Sequence, residues 1–256
     1  MPHITYTKSR KYGDFEKIYT ECSGPGGLEI AEFMAEKMGL EPGKKLLDIG
    51  CNRGYQTCFL AKEYNVFAVG IDPWNDRMQK DPMIEHLQTN AQAWKVEDSV
   101  LGIRAGVPEI NFASGSFDYV YSTTALEMVR ISLGSEGYEK SLEEIARILR
   151  RGGIFGLGVP MRLEREIPPD LEPYISKGEY SWKKCFRSLS EILASVQTAG
   201  FEIIEAEYAP DARRWWMEFA AYDPFCRRNP EEDPKTLEVD NGRWASFGYI
   251  IARKPT

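Results

Sequence analysis

The sequence predicts a protein of the α/β class: a doubly wound, mostly parallel sheet of about seven strands, with an antiparallel last strand and with helical and loop insertions that form a cap. Short apolar runs alternate with amphipathic helical segments along the 256 residues, and such alternation is typical of parallel sheets. A glycine-rich turn follows the first apolar run, where open sheets of this class bind ligands. The last two apolar runs have no helical pattern between them, so they can pair antiparallel at the sheet edge.

In the first half of the chain, helices are predicted where apolar residues recur three and four positions apart, and strands where short apolar runs end in a turn. Leu28, Ala31 and Ala35 show the helical spacing in the first segment, which Gly39 closes. The predicted elements, in chain order, are a helix at 28–39, a strand at 45–50, a helix at 55–64, a strand at 66–72, a helix at 82–97 and a weak strand at 100–104.

In the second half, the same rules predict two strands and two helices that alternate before the final strand pair. The amphipathic segment 137–153 is predicted to end at Gly152 and Gly153, and the strand after it is predicted to stop at Pro160. A capping box, Ser188 with Glu191, opens the next helix. The predicted elements are strand 117–122, helix 137–151, strand 154–160, helix 188–199 and strands 201–208 and 244–254.

Two stretches fall outside this layered pattern. Residues 161–187 are rich in proline, glutamate, lysine and aromatic side chains, and residues 207–243 separate the last two strands. Long insertions in compact domains are often lids or binding loops. We therefore predict one domain over residues 1–256, with 1–27 as an N-terminal cover segment and with 161–187 and 207–243 as cap insertions.

Composition narrows the function classes. The net charge is −7, and an acidic chain lacks the basic surface that nucleic-acid binding usually needs, so no nucleic-acid partner is expected. The five cysteines form no C-x-x-C pair, and the histidines are His3 and His86 only, so no metal site is expected. The sequence has no apolar run of about 18 residues and no signal-peptide core, which predicts a cytoplasmic protein without a membrane span.

The turn in "LLDIGCNRGY" decides which kind of cofactor is expected. A dinucleotide fingerprint needs glycines where this chain has Asn52 and Tyr55, and a P-loop needs Lys and Ser or Thr after Gly54. Both interpretations fail. The remaining pattern is Asp-x-Gly-x-Asn-x-Gly, formed by Asp48, Gly50, Asn52 and Gly54.

This pattern resembles motif I of the class I S-adenosylmethionine (SAM)-dependent methyltransferases, written [DE]-x-G-x-G-x-G, and specifically their small-molecule type. The resemblance implies a Rossmann-like fold and SAM as cofactor. A carboxylate at the strand end holds the cofactor's ammonium, directly or through water, and glycines let the backbone approach the cofactor. Asn52 replaces the middle glycine, and asparagine is among the few residues that tolerate positive φ.

Other segments extend the resemblance over residues 24–206 and the final strand. "FASGSFDYVYSTTALEMV", "EIARILRRGGIFGLGVP" and "SLSEILASVQTAGFEIIEAE" are similar to the family's later strands and helices. "SGPGGLEIAEFM" more loosely resembles methyltransferases of the phosphoethanolamine type. Asp72 stands 24 residues after Asp48, where an acidic residue accepts bonds from ribose hydroxyls. Trp74 either lies against the adenine or packs in the core.

The resemblance also assigns candidate cofactor ligands. Where the family has an acidic residue for the adenine amino group, this chain has Gly106, so backbone groups there, or the side chain of Glu109, are left to meet the adenine. The full set of candidate cofactor-binding residues is Asp48, Gly50, Cys51, Asn52, Gly54, Asp72, Pro73, Trp74, Gly106, Val107, Ser122 and Thr123.

Catalysis by in-line displacement needs mainly proximity and alignment, and a base helps when the nucleophile carries a proton. Glu127, on the helix after the fourth strand, is the candidate base; a solvated helix residue is the alternative. Tyr19 is the second candidate, on a segment that closes over the cofactor; core packing is the alternative. For Trp215 and Trp216 the alternatives are an aromatic lid that cages the substrate and simple packing.

The expected function is SAM-dependent methyl transfer to a small-molecule acceptor, by an enzyme. A non-catalytic SAM-binding protein and a methyltransferase acting on a macromolecule are the alternatives. A nucleic-acid base methyltransferase would carry an Asn/Asp-Pro-Pro-aromatic element after the fourth strand, where this chain reads "STTALEMV". A dehydrogenase that uses NAD is disfavoured by the missing dinucleotide fingerprint.

Overall fold

The computed structural model describes residues 5–76 and 79–256; His3 and the first four residues of the predicted cover segment lie outside them. The strands are β1 Lys45–Ile49, β2 Phe67–Ile71, β3 Val100–Ile103, β4 Phe117–Thr123, β5 Leu149–Arg162, β6 Arg187–Ser188, β7 Glu202–Tyr208 and β8 Ala245–Arg253. The helices are α1 Phe15–Glu21, α2 Gly27–Met38, α3 Tyr55–Tyr64, α4 Met83–Trp94, α5 Leu126–Ile148, α6 Glu172–Ile175, α7 Trp182–Cys185, α8 Leu189–Thr198, α9 Ala212–Tyr222, α10 Pro224–Arg228 and α11 Asp233–Asp240.

The strands form one sheet in the order β3-β2-β1-β4-β5-β8-β7, with the short β6 beside β5. The pairs from β3 to β5 are parallel, and β8 runs antiparallel between β5 and β7. The predicted fold class is therefore confirmed, including the antiparallel last strand. Because β1 has β2 on one side and β4 on the other, the strand order reverses beside β1, and ligands of open α/β sheets bind at that point.

Two predicted element ends are wrong. The helix predicted at 137–151 is the second half of a longer helix, α5, whose one non-helical residue is Gly134 (φ 71°, ψ −176°). It ends at Ile148, and Gly152 and Gly153 lie in β5 and not in a helix stop. The chain becomes extended there because it pairs with neighbours: Leu149 is opposite Phe117, and the Gly152 N–H donates to the Lys254 carbonyl at 2.9 Å.

Pro160 does not stop β5, which continues to Arg162. Pro160 is opposite Phe247 of β8, whereas β4, the neighbour on the other side, ends with the pair Thr123–Gly158. A proline is tolerated in a strand where no neighbour needs its missing N–H. Strand β5 therefore continues beyond the last residue that pairs with β4, and the first insertion begins at its end.

Helices cover both faces of the sheet, as the alternation of the sequence predicts. Leu46 of β1 packs in a core cluster with α2 and α3, and the next residue, Leu47, packs in a second cluster with α5 and α8. Successive strand residues point to opposite faces. Because helices cover both faces, the buried strands are apolar on both sides. Polar side chains that could bind a ligand therefore lie at the carboxyl ends of the strands.

The N-terminal segment packs against the second insertion, and the two insertions pack against each other. Helix α1 contacts α2 and α9, and its Tyr19 is buried beside Phe219 and Tyr222 of α9. The insertions form a third apolar cluster, called the cap cluster below: Leu171, Ile175, Trp182, Cys185, Phe186, Trp216, Leu237, Trp244 and Ala245. Over the described ranges, no helix is both long and apolar enough to cross a bilayer.

Candidate functional site

The site is a cavity at the carboxyl ends of the parallel strands, beside the reversal of strand order. Its volume is about 540 Å³, within the range of small-molecule and cofactor pockets. The loops that follow β1, β2, β3 and β4 all contribute to its walls. The lining residues are Ser23, Ile49, Gly50, Asn52, Ile71, Asp72, Pro73, Trp74, Met83, Ala105, Gly106, Val107, Pro108, Glu109, Thr124, Ala125, Met128, Val129, Ser132 and Leu133.

The turn after β1 places bare backbone against this cavity. Gly50 and Asn52 have positive φ, 76° and 51°, as the sequence predicts for Asn52. The N–H groups of Gly50 and Cys51 donate to the Ile71 carbonyl of β2, at 2.9 and 3.1 Å, and fix the turn to the sheet. A Cβ on Gly50 would overlap the Cβ of Ala125. Glycine is therefore required by both the conformation and the close approach.

Asp72, at the end of β2, is the central polar group of the cavity. Its Oδ2 accepts the Asn52 N–H and its Oδ1 accepts the Trp74 N–H, both at 2.9 Å. These two bonds lower the pKa of the carboxyl, but burial has the larger effect and raises it. A carboxylate has about four acceptor positions. Two are used to hold the turn and the following loop, so acceptor capacity remains for a ligand.

Flat and apolar groups line the cavity beyond Asp72. Pro73 and Trp74 follow it, and Trp74 is 46% exposed, which rules out the core-packing alternative for this residue. Gly106 approaches Pro73 so closely that a Cβ there would lie 3.0 Å from the Pro73 Cγ. Val107 is buried, and Glu109 also lines the cavity. This end of the cavity has the shape and polarity that suit a flat aromatic base.

A small cavity continues from the glycine turn toward α1. It shares Ser23, Gly50, Asn52 and Thr124 with the large cavity. Its other lining residues are Glu21, Cys22, Cys51, Gln56 and Thr123. The Thr123 hydroxyl donates to Gln56 Oε1 at 2.9 Å, and the Gln56 amide donates to the Gly27 carbonyl at 2.6 Å. The small cavity has a volume of only about 10 Å³ and adjoins the large one at the glycine turn.

Three of the predicted cofactor residues lie outside both linings and support the site from behind. Asp48 is 2% exposed and accepts the Thr57 hydroxyl at 2.6 Å, and burial raises the pKa of its carboxyl to about 7. Ser122 is fully buried and donates to the Ile49 carbonyl at 3.1 Å. Gly54 has a φ of 71° and begins α3, where a Cβ would overlap Leu87.

Sequence reasoning missed several lining residues. Ser23 comes from the "SGPGG" stretch, which on the sequence level carries only a family resemblance. Thr124 has a positive φ of 51°, and its hydroxyl bonds the Ser23 carbonyl at 3.0 Å. Met128 and Val129 belong to the first turn of α5, where Leu126 is buried instead. Apolar residues lie all around the helix in this segment, so its periodicity carries no signal for this orientation.

The two candidate catalytic residues do not line either cavity. Glu127 lies outside the cavity wall that Met128 forms. Its Oε2 is shielded from solvent and has no hydrogen-bond partner among the described residues, and burial raises the pKa of the carboxyl to about 7. Tyr19 donates its hydroxyl to Glu218 at 3.2 Å, and burial together with that carboxylate raises the pKa of the phenol. The phenol is therefore neutral at physiological pH.

The two tryptophans of α9 pack in apolar clusters, which is the second of the two alternatives that the sequence leaves open for them. Trp215 is fully buried in the core cluster, where its ring contacts Phe33 and Phe247, and its Nε1 donates to Glu29 at 3.1 Å. Trp216 is 5% exposed in the cap cluster and donates to the Ser246 carbonyl. Neither ring is part of the cavity linings.

Substitution of Asn52 tests whether the turn needs only a residue that tolerates positive φ. We expect Asn52→Gly to keep stability and cofactor affinity, whereas Asn52→Val should lose about 1–3 kcal/mol of stability, because a β-branched residue is strained there. Urea unfolding and calorimetry measure both quantities. Asn65→Val is the matched control, since Asn65 has a φ of 53° at the end of α3 and should lose stability only. Equal stability of the Asn52→Val and Asn52→Gly variants contradicts the prediction.

The fold and this site define a class of protein: a Rossmann-like domain with a cofactor-sized cavity at the switch point of its sheet. Residues 47–157 match the family profile described as "Methyltransferase domain". This part of the chain is therefore similar to the domain of the class I SAM-dependent methyltransferases, and the similarity indicates SAM as the cofactor.

Individual relatives support the same family. The chain is 26% identical to 27-O-demethylrifamycin SV methyltransferase of Amycolatopsis mediterranei over 88% of this chain and 83% of that one. It is 26% identical to sterol 24-C-methyltransferase erg6 of Aspergillus fumigatus over 73% of this chain and 48% of that one. The chain spans about half, or less, of the length of the first curated relatives that it matches.

Among solved structures, the fold is similar to phosphoethanolamine N-methyltransferase 2 of Haemonchus contortus in complex with SAM. The TM-score is 0.73 at 17% identity, and the alignment covers 100% of this chain and 61% of that chain. At this identity the likeness establishes the fold alone.

The residues present fit SAM. Asp72 offers buried acceptor capacity for hydroxyl groups, Pro73, Trp74 and Val107 form an apolar slot, and Gly50 exposes backbone where a Cβ has no room. Polar groups of the small cavity lie toward α1, and apolar groups line the large cavity near Val107. A ligand with a zwitterionic end, a ribose and an adenine matches this sequence of environments.

Proposed function

We propose that this protein transfers a methyl group from SAM to a small-molecule acceptor. The observation that carries the proposal is the Asp72 carboxylate, held by two backbone N–H groups in the wall of a cavity that begins at a motif I turn. When bound, SAM supplies a sulfonium methyl group for in-line displacement by the acceptor. The related enzymes are named for sterol and rifamycin substrates, so acceptor identity differs within the family.

We assign the cofactor contacts by the order of groups along the cavity. Asp72 accepts from the ribose hydroxyls, because it is the buried carboxylate of the large cavity. Pro73, Trp74 and Val107 enclose the adenine, and its amino group meets the backbone at Gly106 or the carboxylate of Glu109. Gly50, Cys51, Asn52 and Thr123 surround the amino-acid end, while Asp48, Gly54 and Ser122 hold the strand ends and the turn in place.

For proton transfer, Glu127 is the proposed base. A carboxyl whose pKa is near 7 takes up a proton from an N–H or O–H nucleophile more readily than an ordinary glutamate. Its free Oε2 lies on the side of α5 that also carries Ile131, which packs against the cap cluster. The acceptor would therefore approach from the cap side. Tyr19 remains protonated, so its proposed role is to donate a hydrogen bond and to close the N-terminal segment over the site.

The remaining proposals concern the protein's surroundings. We propose a cytoplasmic protein whose partner is a small molecule and not a nucleic acid, which agrees with its net charge of −7. Residues 161–187 and 207–243 are proposed to act as a cap over the acceptor within one domain of residues 1–256.

A second candidate is a SAM-binding protein without methyl transfer. It is favoured by one observation: Glu127 and Tyr19 both lie outside the cavity linings, so the proposed base reaches an acceptor only from the cap side. This alternative shares the cofactor contacts and differs only in turnover.

Calorimetry and a methyl-transfer assay test the two candidates together. We expect SAM and its demethylated product, S-adenosylhomocysteine (SAH), to bind at one site per chain, and NAD and ATP to bind much more weakly. An affinity for NAD comparable to that for SAM would contradict the cofactor assignment. Transfer of radiolabelled methyl from SAM to any member of a panel of phenols, amines and sterols supports the enzyme, whereas tight SAM binding without transfer to the panel favours the second candidate.

A further inference from the structure

We infer that Glu21, at the end of the N-terminal helix α1, is the residue that receives the ammonium group of the cofactor's amino-acid end. The inference rests on the proposed function and assigns a binding residue that the sequence patterns do not contain. It also replaces Asp48 in the task that the family resemblance gave it.

Glu21 is the charged group of the small cavity. Among the described residues that line it, the others are Cys22, Ser23, Gly50, Cys51, Asn52, Gln56, Thr123 and Thr124, which are neutral side chains. The Glu21 side chain is only 18% exposed. A mostly buried carboxylate attracts a cation more strongly than an exposed one, because water screens it less.

The two oxygens of Glu21 are unequally used. Oε2 accepts the side-chain amide of Asn90 at 3.0 Å, and the same amide group donates to the Arg53 carbonyl at 2.9 Å. Oε1 forms an ion pair with Arg53 Nη1 at 3.6 Å, a separation too long for a hydrogen bond. Arg53 instead donates to Asp76 Oδ2 through Nε and Nη2, at 3.1 and 2.7 Å. No donor in the described parts of the chain bonds Oε1, so it can accept from a ligand.

Asp48 is badly placed for the same task. It is 2% exposed, it lies outside both cavity linings, and its Oδ2 accepts from Thr57. Burial raises the pKa of its carboxyl to about 7, so a large part of it is neutral at physiological pH. A neutral, enclosed carboxyl supports the strand end, whereas Glu21 presents an oxygen to the cavity.

The placement of Glu21 also links the cover segment to the cofactor. Asn90 joins Glu21 to the residue that follows Asn52 in the glycine turn, and the Thr124 hydroxyl joins the end of β4 to the carbonyl of Ser23. A ligand cation on Glu21 would therefore hold α1 to the turn. Binding of the amino-acid end and closure of the N-terminal segment become one event.

The test compares two ligands that differ only at the end in question. SAH carries the amino-acid end, and 5′-methylthioadenosine has the nucleoside and the thioether without it. We expect Glu21→Gln to weaken SAH binding about tenfold or more, since a charge-assisted bond is lost, and to change methylthioadenosine binding less than about twofold. Glu16→Gln is the control: Glu16 lies on the same helix, but its side chain is 70% exposed, and neither affinity should change.

Several outcomes overturn the inference. Equal losses for both ligands would make Glu21 a structural contact of the turn, and unchanged SAH affinity would remove it from the site. If Asp48→Asn lowers the ratio of SAH affinity to methylthioadenosine affinity and Glu21→Gln does not, Asp48 holds the ammonium. A wild-type protein that binds neither ligand would instead sink the proposed function.

One measurement needs no variant. The wild-type protein should bind SAH about tenfold or more tightly than the SAH analogue in which hydrogen replaces the amino group. Equal affinities contradict the inference even if the Glu21→Gln variant fails to fold.

Discussion

Replacing Asp72 with alanine should lower the affinity for SAM and SAH at least about tenfold, the largest loss expected from any single side chain of the cavity. Two proposed bonds to ribose hydroxyls disappear, and each charge-assisted bond contributes roughly 1.5–3 kcal/mol. The change also releases the N–H groups of Asn52 and Trp74, which Asp72 holds at 2.9 Å. Calorimetry measures the affinity, and thermal unfolding reports whether the fold persists.

Asp72→Asn separates ligand binding from support of the turn. The amide oxygen can still accept one of the two backbone N–H groups, so the turn should keep more of its geometry than with alanine, while the charge is lost. Methylthioadenosine should lose affinity with both variants, because it carries the ribose. Asp98→Ala, at an exposed position, is the control and should bind normally. Unchanged SAH affinity of the alanine protein, with a normal melt, would place the ribose elsewhere.

The sequence contains enough to predict the part of the site that local geometry decides. A run of apolar residues ending in Asp48 and Gly50 places a turn at the end of a buried strand, and an asparagine where positive φ is needed predicts the observed φ of 51° at Asn52. Asp72 follows from the next strand end in the same way. Such features depend on a few adjacent residues and on a sheet whose strands are parallel.

Contacts between distant segments were not predictable in this way. Glu21 and Ser23 meet the glycine turn only because α1 folds back across the carboxyl edge of the sheet, and no periodicity in the sequence records that contact. Asp48 matches the family pattern, but its burial under Thr57 and the surrounding core decides its protonation. A sequence motif identifies which residue stands at a given position. The packing around that residue decides whether its side chain is charged and whether it is exposed.

The orientation of Glu127 illustrates the same limit. Five of the eight residues 126–133 are apolar and lie all around the helix, so they do not fix its phase, and the break at Gly134 separates them from the regular part of α5. Met128 and Val129 therefore line the cavity, while Glu127 points to the other side. Its surroundings are groups that sequence spacing does not place nearby: Arg130 and Tyr138 of α5 and Cys185 of α7.

This burial leads to a second large effect, on stability and not on affinity. The pKa of Glu127 rises from 4.5 to about 7 in the folded protein. Below pH 4.5 the group is protonated in both states and its stabilising contribution is fully present. Between these values the unfolded chain ionises first, so stability is lost as the pH rises through about 7. Each pH unit in this window costs about 1.4 kcal/mol, which gives a loss on the order of 3 kcal/mol.

Glu127→Gln should remove this loss, because the amide stays neutral at every pH. We expect the variant to be more stable than the wild type at about pH 8, by up to about 3 kcal/mol, and nearly equal to it at about pH 5. Urea unfolding at several pH values measures the difference in the free energy of unfolding between the variant and the wild type. Other carboxyls that titrate in the same range, such as Asp48, contribute equally to both proteins, so their contributions cancel. Glu143→Gln, at an exposed position on the same helix, should run parallel to the wild type. If the curve of the Glu127→Gln variant also runs parallel, Glu127 is ionised in the folded protein at neutral pH. Its free oxygen would then hold no proton near neutral pH, and the case for Glu127 as a base tuned to that pH would fail with it.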